Sequence, residues 1–129
     1  MLSKILRLFA KDKQIESSDV VRSPFLTTKE LPQILDKAGV GLIVLDSNDC
    51  IFQINSIASL DLNIPKEYEG SKLVEVFNNG EIYNLIKSVK LDSSAEEEIF
   101  GVEPGNKSFL VNATFDSDSY ETTLVFIDI

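Results

Sequence analysis

The spacing of apolar residues along the chain alternates between a helical and a strand-like pattern. Residues 31–38 carry apolar side chains at helical spacing. They are preceded by a Thr/Glu pattern at 27–30 that resembles a capping box, and they are followed by Gly39, a typical helix end. Residues 40–45 and 50–54 are short apolar runs separated by a polar turn, which is typical of a β-hairpin. The first part of the pattern therefore predicts a helix followed by two paired strands.

The rest of the chain returns to helical spacing and then to strands. Residues 55–90 are interrupted at Pro65, Gly70 and residues 78–80, so only the segment 80–90 can form more than two or three helical turns. Strand patterns follow at 97–102, 108–115 and 122–129, with turns at 103–106 and 116–119. The order predicts an α+β domain in which five antiparallel strands form one sheet and short helices pack on one of its faces.

The N-terminal segment has a separate pattern. Residues 1–13 predict a basic amphipathic helix, and residues 14–24 read as a polar linker, so we place the domain at 25–129 and the helix and linker at 1–24. The apolar stripe of this helix consists of Leu2, Ile5, Leu6 and Phe9. Because the helix is too short to cross a bilayer, it packs on a partner, on its own domain or on an anionic membrane surface. We favour packing on protein, in a homodimer, over membrane-surface contact by residues 1–13.

Charge and residue usage exclude several functions. The net charge is -9, and residues 25–129 are more acidic than the whole, which argues against nucleic acid as a partner. The chain has no histidine and one cysteine, Cys50, so it has no internal disulfide, no Cys-based zinc site and no Ser/Cys–His catalytic set. This usage predicts a cytoplasmic protein with no catalytic residues in this chain.

Four stretches, at residues 38–46, 50–58, 70–77 and 124–129, together resemble one family. In order, they are similar to the first strand, the second strand with its Asn-capped helix, the next helical turn and the last strand of a PAS domain. In particular, they resemble the PAS domains that precede the kinase core in bacterial sensor histidine kinases. Near Leu62 and Asn63 the chain departs from the family, which often has a glycine at the end of the Asn-capped helix.

The resemblance implies a sensory and dimerisation domain that passes a signal to an effector or kinase domain C-terminal to it. The chain ends with Asp128 and Ile129, one residue short of the threonine of the family's Asp-Ile-Thr motif, so we expect it to be a fragment of a longer signalling protein. Asp128 resembles the acid that couples the final strand to the outgoing signalling helix. The alternative is a ligand-free protein-interaction domain, either standalone or joined to another effector, and a small-molecule enzyme ranks last.

A pocket between the sheet and the helices is the candidate ligand site. Its candidate lining residues are the apolar and aromatic side chains that should face one another: Ile43, Phe52, Phe77, Ile82, Tyr83, Ile86, Phe109, Val111 and Phe126. A filled core without a ligand accounts for the same residues and is the alternative we prefer. Asn55 follows a strand directly, and we interpret it as a helix cap rather than a ligand contact.

The sequence predicts no resident cofactor, and the binding of an unknown small molecule is the alternative. Histidine-ligated haem is excluded because the chain has no histidine. A flavin adduct is disfavoured because light-sensing relatives carry the reactive cysteine on a helix, whereas Cys50 opens a strand and is expected to be a buried, inert thiol. The acidic residues at 96–98 alternate between the two faces of a strand, so we predict a solvated edge and no metal site.

Overall fold

The computed structural model describes residues 31–103 and 105–129. The predicted N-terminal helix with Leu2, Ile5, Leu6 and Phe9, the linker, the capping pattern at 27–30 and position 104 of the predicted turn lie outside the described residues.

The described residues form four helices, one 3₁₀ turn and five strands. The helices are α1 (Leu31–Ala38), α2 (Ser56–Leu62), α3 (Leu73–Val76) and α4 (Gly80–Asp92), and the 3₁₀ turn is Lys66–Tyr68. The strands are β1 (Gly41–Leu45), β2 (Ile51–Ile54), β3 (Ser94–Val102), β4 (Lys107–Asp116) and β5 (Glu121–Asp128).

The five strands form one antiparallel sheet in the order β2-β1-β5-β4-β3. The front hairpin joins the C-terminal meander through β1 and β5, whose register runs from Gly41 opposite Phe126 to Leu45 opposite Thr122. The first and last strands of the described domain are therefore neighbours at the centre of the sheet. The predicted α+β class and the single five-stranded sheet are confirmed.

One face of the sheet carries the main core. Inward-facing residues of all five strands pack with α2, α3 and α4 in a single buried cluster. The longest helix, α4, supplies Ile82, Leu85, Ile86 and Val89, whose spacing places them on the same side of the helix. Their burial against β3 and β4 fixes α4 across the C-terminal half of the sheet.

Helix α1 lies on the opposite face, whereas the sequence predicted helices on one face only. Leu35 of α1 is fully buried and packs with Leu42 and Val44 of β1 and Val125 of β5. All five residues of β1 are buried, so its alternate side chains need apolar cover on both sides. The uninterrupted apolar run at 41–45 therefore follows from a central strand covered on both faces.

The start of β3 also differs from the sequence prediction. The strand begins at Ser94 rather than residue 97, because Ser94 pairs with Thr114 and Glu96 pairs with Asn112. These polar residues lie on an edge strand, where hydrophobic alternation is weak and gives little signal. Within the residues that the structure describes, no helix has the length and apolar character needed to cross a bilayer.

Candidate functional site

The predicted pocket residues lie mostly in the core between the sheet and α2 to α4. Seven of them are buried in the main cluster: Ile43, Phe77, Ile82, Ile86, Phe109, Val111 and Phe126. Tyr83 is partly buried and packs against the same cluster. The structure therefore brings these eight side chains together on the inner face of the sheet.

Phe52 is the exception among the candidate residues, because its side chain is 53% exposed and lies outside the core. Val44 pairs with Gln53 and Leu45 pairs with Ile51, so Phe52 is the extra residue of a bulge in the edge strand β2. The bulge directs both Ile51 and Ile54 into the core, three positions apart, and leaves Phe52 outside. Simple alternation, which assigned Phe52 to the pocket, cannot detect such a shift.

Aromatic packing fills the centre of this region. The rings of Phe109 and Phe126 meet edge to face, with their centroids 5.8 Å apart and an interplanar angle of 83°. This geometry is a favourable one for two aromatic rings, because the positive edge of one ring faces the negative face of the other. Both side chains are almost fully buried. A phenylalanine of β4 and one of β5 thus contact each other on the inner face of the sheet.

Tyr83 holds α3 against α4. Its hydroxyl donates to the carbonyl oxygen of Phe77 and also lies 3.0 Å from the carbonyl oxygen of Leu73. Leu73 is the first residue of α3 and Phe77 is its C-cap, so one side chain contacts both ends of that short helix. Burial raises the pKa of Tyr83 to about 12. The hydroxyl therefore stays protonated at neutral pH and acts as a structural donor.

Asn55 occupies the N-cap of α2 and links three parts of the domain. Its side-chain oxygen accepts hydrogen bonds from the backbone N–H of Ala58 at 3.0 Å and of Leu42 at 2.8 Å. Its side-chain nitrogen donates to the carbonyl oxygen of Val40 at 2.8 Å. The residue is fully buried, and its contacts join the start of α2 to the residues that lead into β1.

The end of α2 accommodates the departure from the family's glycine. Asn63 is the C-cap of this helix and adopts a left-handed conformation, with φ 55° and ψ 47°. Asparagine is one of the few residues other than glycine that takes this conformation readily. The helix therefore ends as a glycine would end it, without a change in the path of the chain.

Asp128 lies at the exposed end of β5, opposite Phe109 of β4. The nearby Lys107 donates a hydrogen bond to Asp61 at 2.8 Å. The pKa of Lys107 is raised by its hydrogen bond to Asp61, by the charge of Asp61 and, less strongly, by the charge of Asp128. The Lys107–Asp61 ion pair connects the C-terminal end of α2 to the start of β4.

Sequence reasoning did not identify Lys107 as part of this site. Asp61 and Lys107 are 46 residues apart, so their contact depends on how the sheet and α2 pack. The only available signal was that Lys107 is one of six basic residues among residues 31–129.

The remaining chemistry of the described residues is limited. Cys50 is half-buried rather than buried, because it forms only an isolated β-bridge with Lys72 before β2 begins. In the ranges 31–103 and 105–129, no group of three or more His, Cys, Asp or Glu residues is arranged to hold a metal ion. In the edge strand β3, Glu96 pairs with Asn112 of β4 and Glu98 pairs with Leu110. Glu97, between them, pairs with Val111, whose side chain lies in the core, so the three glutamates alternate between the two faces of the sheet.

Comparisons with known proteins identify the fold. No protein-family model matches the chain, and no curated protein matches it significantly. The PAS domain of a protein from Colwellia psychrerythraea is similar with a TM-score of 0.59 at 13% identity, covering 78% of this chain and 95% of that one. A sensory box sensor histidine kinase from Vibrio cholerae gives a TM-score of 0.58 at 15% identity, covering 88% of this chain and 97% of that one.

A third similar structure is the photoactive yellow protein domain of the sensor histidine kinase Ppr from Rhodospirillum centenum. It has a TM-score of 0.54 at 16% identity, covering 69% of this chain and 84% of that one. The protein described here has the PAS fold. Since a photoactive domain shares this fold, the fold is compatible both with a bound cofactor and with none.

Proposed function

We propose that this chain is a sensory and dimerisation domain of a bacterial signal-transduction protein, the N-terminal part of a cytoplasmic sensor histidine kinase. In this proposal the domain has no catalytic role of its own. It passes a conformational bias through the end of β5 to an effector that follows it in the parent protein.

The observation that carries this proposal is the similarity of the fold to the sensory box structure from Vibrio cholerae, which spans 88% of this chain. The exposed position of Asp128 at the end of β5 supports it further, because an outgoing helix could contact the carboxylate there. The sequence of the parent gene is the first test. A reading frame that continues past Ile129 into a helix with a phospho-acceptor histidine supports the proposal, whereas a stop codon after Ile129 rules it out.

The second candidate function is a ligand-free protein-interaction domain. The edge-to-face contact of Phe109 and Phe126 favours it, because these rings occupy the region where a ligand would lie. Native mass spectrometry of the purified chain separates the two candidates. A co-purified small molecule of defined mass supports ligand sensing, and the mass of the bare chain supports the interaction domain.

We predict that residues 1–24 contribute to a homodimer. Isolated helices this short are marginal in water, so the stripe of Leu2, Ile5, Leu6 and Phe9 needs a partner surface to bury it. Removal of residues 1–24 should weaken self-association by at least tenfold while the far-ultraviolet circular dichroism of the remaining domain keeps its mixed helix and strand character. Sedimentation equilibrium of the two chains measures the effect.

The matched control changes the polar side of the same segment. Lys4→Ser with Arg7→Ser should leave the dimer dissociation constant within about twofold, because these residues lie outside the apolar stripe. Equal association of the full and truncated chains would show that the segment has another role. Co-sedimentation of the full chain with anionic vesicles, lost on truncation, would instead assign it to the membrane surface.

A further inference from the structure

A surface groove of 320 Å³ lies at the edge of the core cluster described above. Three segments form it: the turn between β1 and β2 at residues 48–49, the start of α3 at residues 72–74, and one side of α4 at residues 83–90. Its apolar base consists of the exposed Val74 and the half-buried Tyr83, next to the buried Leu45, Leu73 and Ile86. The groove therefore combines an apolar base with a volume at the lower end of the range for ligand pockets.

Lysines surround this apolar base. Lys72, Lys87 and Lys90 all line the groove. Residues 31–129 contain six lysines and no arginine against seventeen acidic residues, so half of the positive charge of an acidic domain lies around one groove. An acidic surface repels anions, and a cluster of cations on it makes the groove the place where an anion is attracted.

Two of the three ammonium groups lack an acidic partner. Lys90 contacts both carboxylate oxygens of Asp49 at 2.8 Å. Lys72 and Lys87 form no ion pair with any residue of the ranges 31–103 and 105–129. Their charges are therefore available to a bound anion, while the Lys90–Asp49 pair ties α4 to the β1–β2 turn.

The walls of the groove are held together independently of any ligand. The backbone N–H of Leu73 donates to the carbonyl oxygen of Asp49 at 3.1 Å, which fixes the start of α3 to the turn. Tyr83 fixes the rest of α3 to α4 through the carbonyl of Phe77. Since all three walls are connected, the groove is preformed, and binding does not need to order them.

The apolar base and the two unpaired lysines, Lys72 and Lys87, together indicate the class of ligand that the groove can bind. An inorganic anion would leave the apolar surface of Val74 and Tyr83 in contact with water, and a neutral apolar molecule would leave the two ammonium groups without a partner. We propose that this groove binds a small amphipathic carboxylate, with an aliphatic or aromatic body on Val74 and Tyr83 and its carboxylate between Lys72 and Lys87. This site lies on the surface, at the edge of the core between the sheet and the helices and not inside it.

Binding can be measured on residues 1–129 by adding sodium octanoate to the ¹⁵N-labelled protein and following the amide resonances. We expect saturable shifts confined to the three walls, at residues 48–49, 72–74 and 83–90. The double variant Lys72→Gln/Lys87→Gln should weaken octanoate binding about five- to tenfold, as expected for the loss of two exposed charge contacts. The matched control, Lys37→Gln/Lys66→Gln, removes the same charge from outside the groove and should bind as the unmodified chain does.

The same titration with other probes checks the ligand class. Sodium phosphate and 1-octanol should each produce shifts at least several-fold weaker than octanoate, because each satisfies only half of the site. Octanoate shifts centred elsewhere, unchanged affinity in the Lys72/Lys87 variant, or equal affinity for either control probe would overturn the proposal. These measurements need no effector, so their failure would leave the proposed signalling function untouched.

Discussion

Asn55→Ala should lower the free energy of unfolding by about 3–5 kcal/mol, which is a large part of the stability of a domain this size. The change removes two acceptor contacts, to the backbone N–H groups of Leu42 and Ala58, and one donor contact, to the carbonyl of Val40. Because Asn55 is fully buried, water cannot replace those partners. A buried backbone group left without a partner costs about 1–3 kcal/mol, and here three are affected.

Asn79→Ala is the matched control for this prediction. Asn79 is also the N-cap of a helix, α4, but its side chain accepts only from the backbone N–H of Ile82, at 3.1 Å, and it is half-buried. Its loss should cost about 1 kcal/mol, as is usual for a helix cap. Urea denaturation of both variants, followed by circular dichroism, measures the difference. Equal destabilisation by the two changes would mean that Asn55 acts as an ordinary cap and does not link β1 to α2.

Gly41→Val should destabilise the domain by about 2–4 kcal/mol through overpacking. A Cβ atom at position 41 would lie 3.2 Å from the Cβ of Ala58 and 3.3 Å from the Cβ of Phe126. These contacts are with the body of α2 and with the neighbouring strand β5, so neither can move aside as a flexible side chain would. The two further methyl groups of valine would push α2 away from the sheet and expose part of the core.

The control for Gly41 is Gly80→Val, at the first residue of α4, where a Cβ atom would have nothing within 4 Å. Valine there reduces the freedom of the unfolded chain without a clash, so the free energy of unfolding should change by less than about 1 kcal/mol. Thermal unfolding of the pair separates steric crowding from the general effect of replacing a glycine. The packing account of Gly41 is wrong if both variants melt at the same temperature as the unmodified protein.

The order of elements could be predicted from the sequence because the central strands β1 and β5 have a strong local pattern. Residues 41–45 and 124–127 are apolar runs, each within a strand that has a turn beside it, and the cap at Asn55 directly follows a strand. Such signals lie within a few residues of one another, so they can be read from the chain alone. The α+β class and the five-stranded sheet follow from their order.

Features that depend on pairing between distant residues could not be predicted. The bulge that turns Phe52 outward is a property of the β1–β2 register, and the position of α1 on the second face depends on β1 being a central strand. The same holds for Lys107 and Asp61, whose contact joins β4 to α2. Composition identifies such residues as charged or apolar, but only the assembled sheet decides which of them meet.

The relay through the end of β5 is the central claim of the account, and a substitution of Asp128 in the intact parent protein tests it most directly. Asp128 is exposed, so Asp128→Ala should change the melting temperature of the domain by no more than about 2 °C. Asp116→Ala, which removes an exposed acid from the end of β4, is the matched control.

The measurement is the rate of autophosphorylation of the parent protein carrying each change. The account predicts that Asp128→Ala alters this rate several-fold, because the outgoing segment loses its contact with the last strand, while Asp116→Ala leaves it unchanged. If the domain is folded in both variants and the Asp128 variant autophosphorylates at the unaltered rate, no signal leaves the domain through this carboxylate, and the proposed relay is wrong.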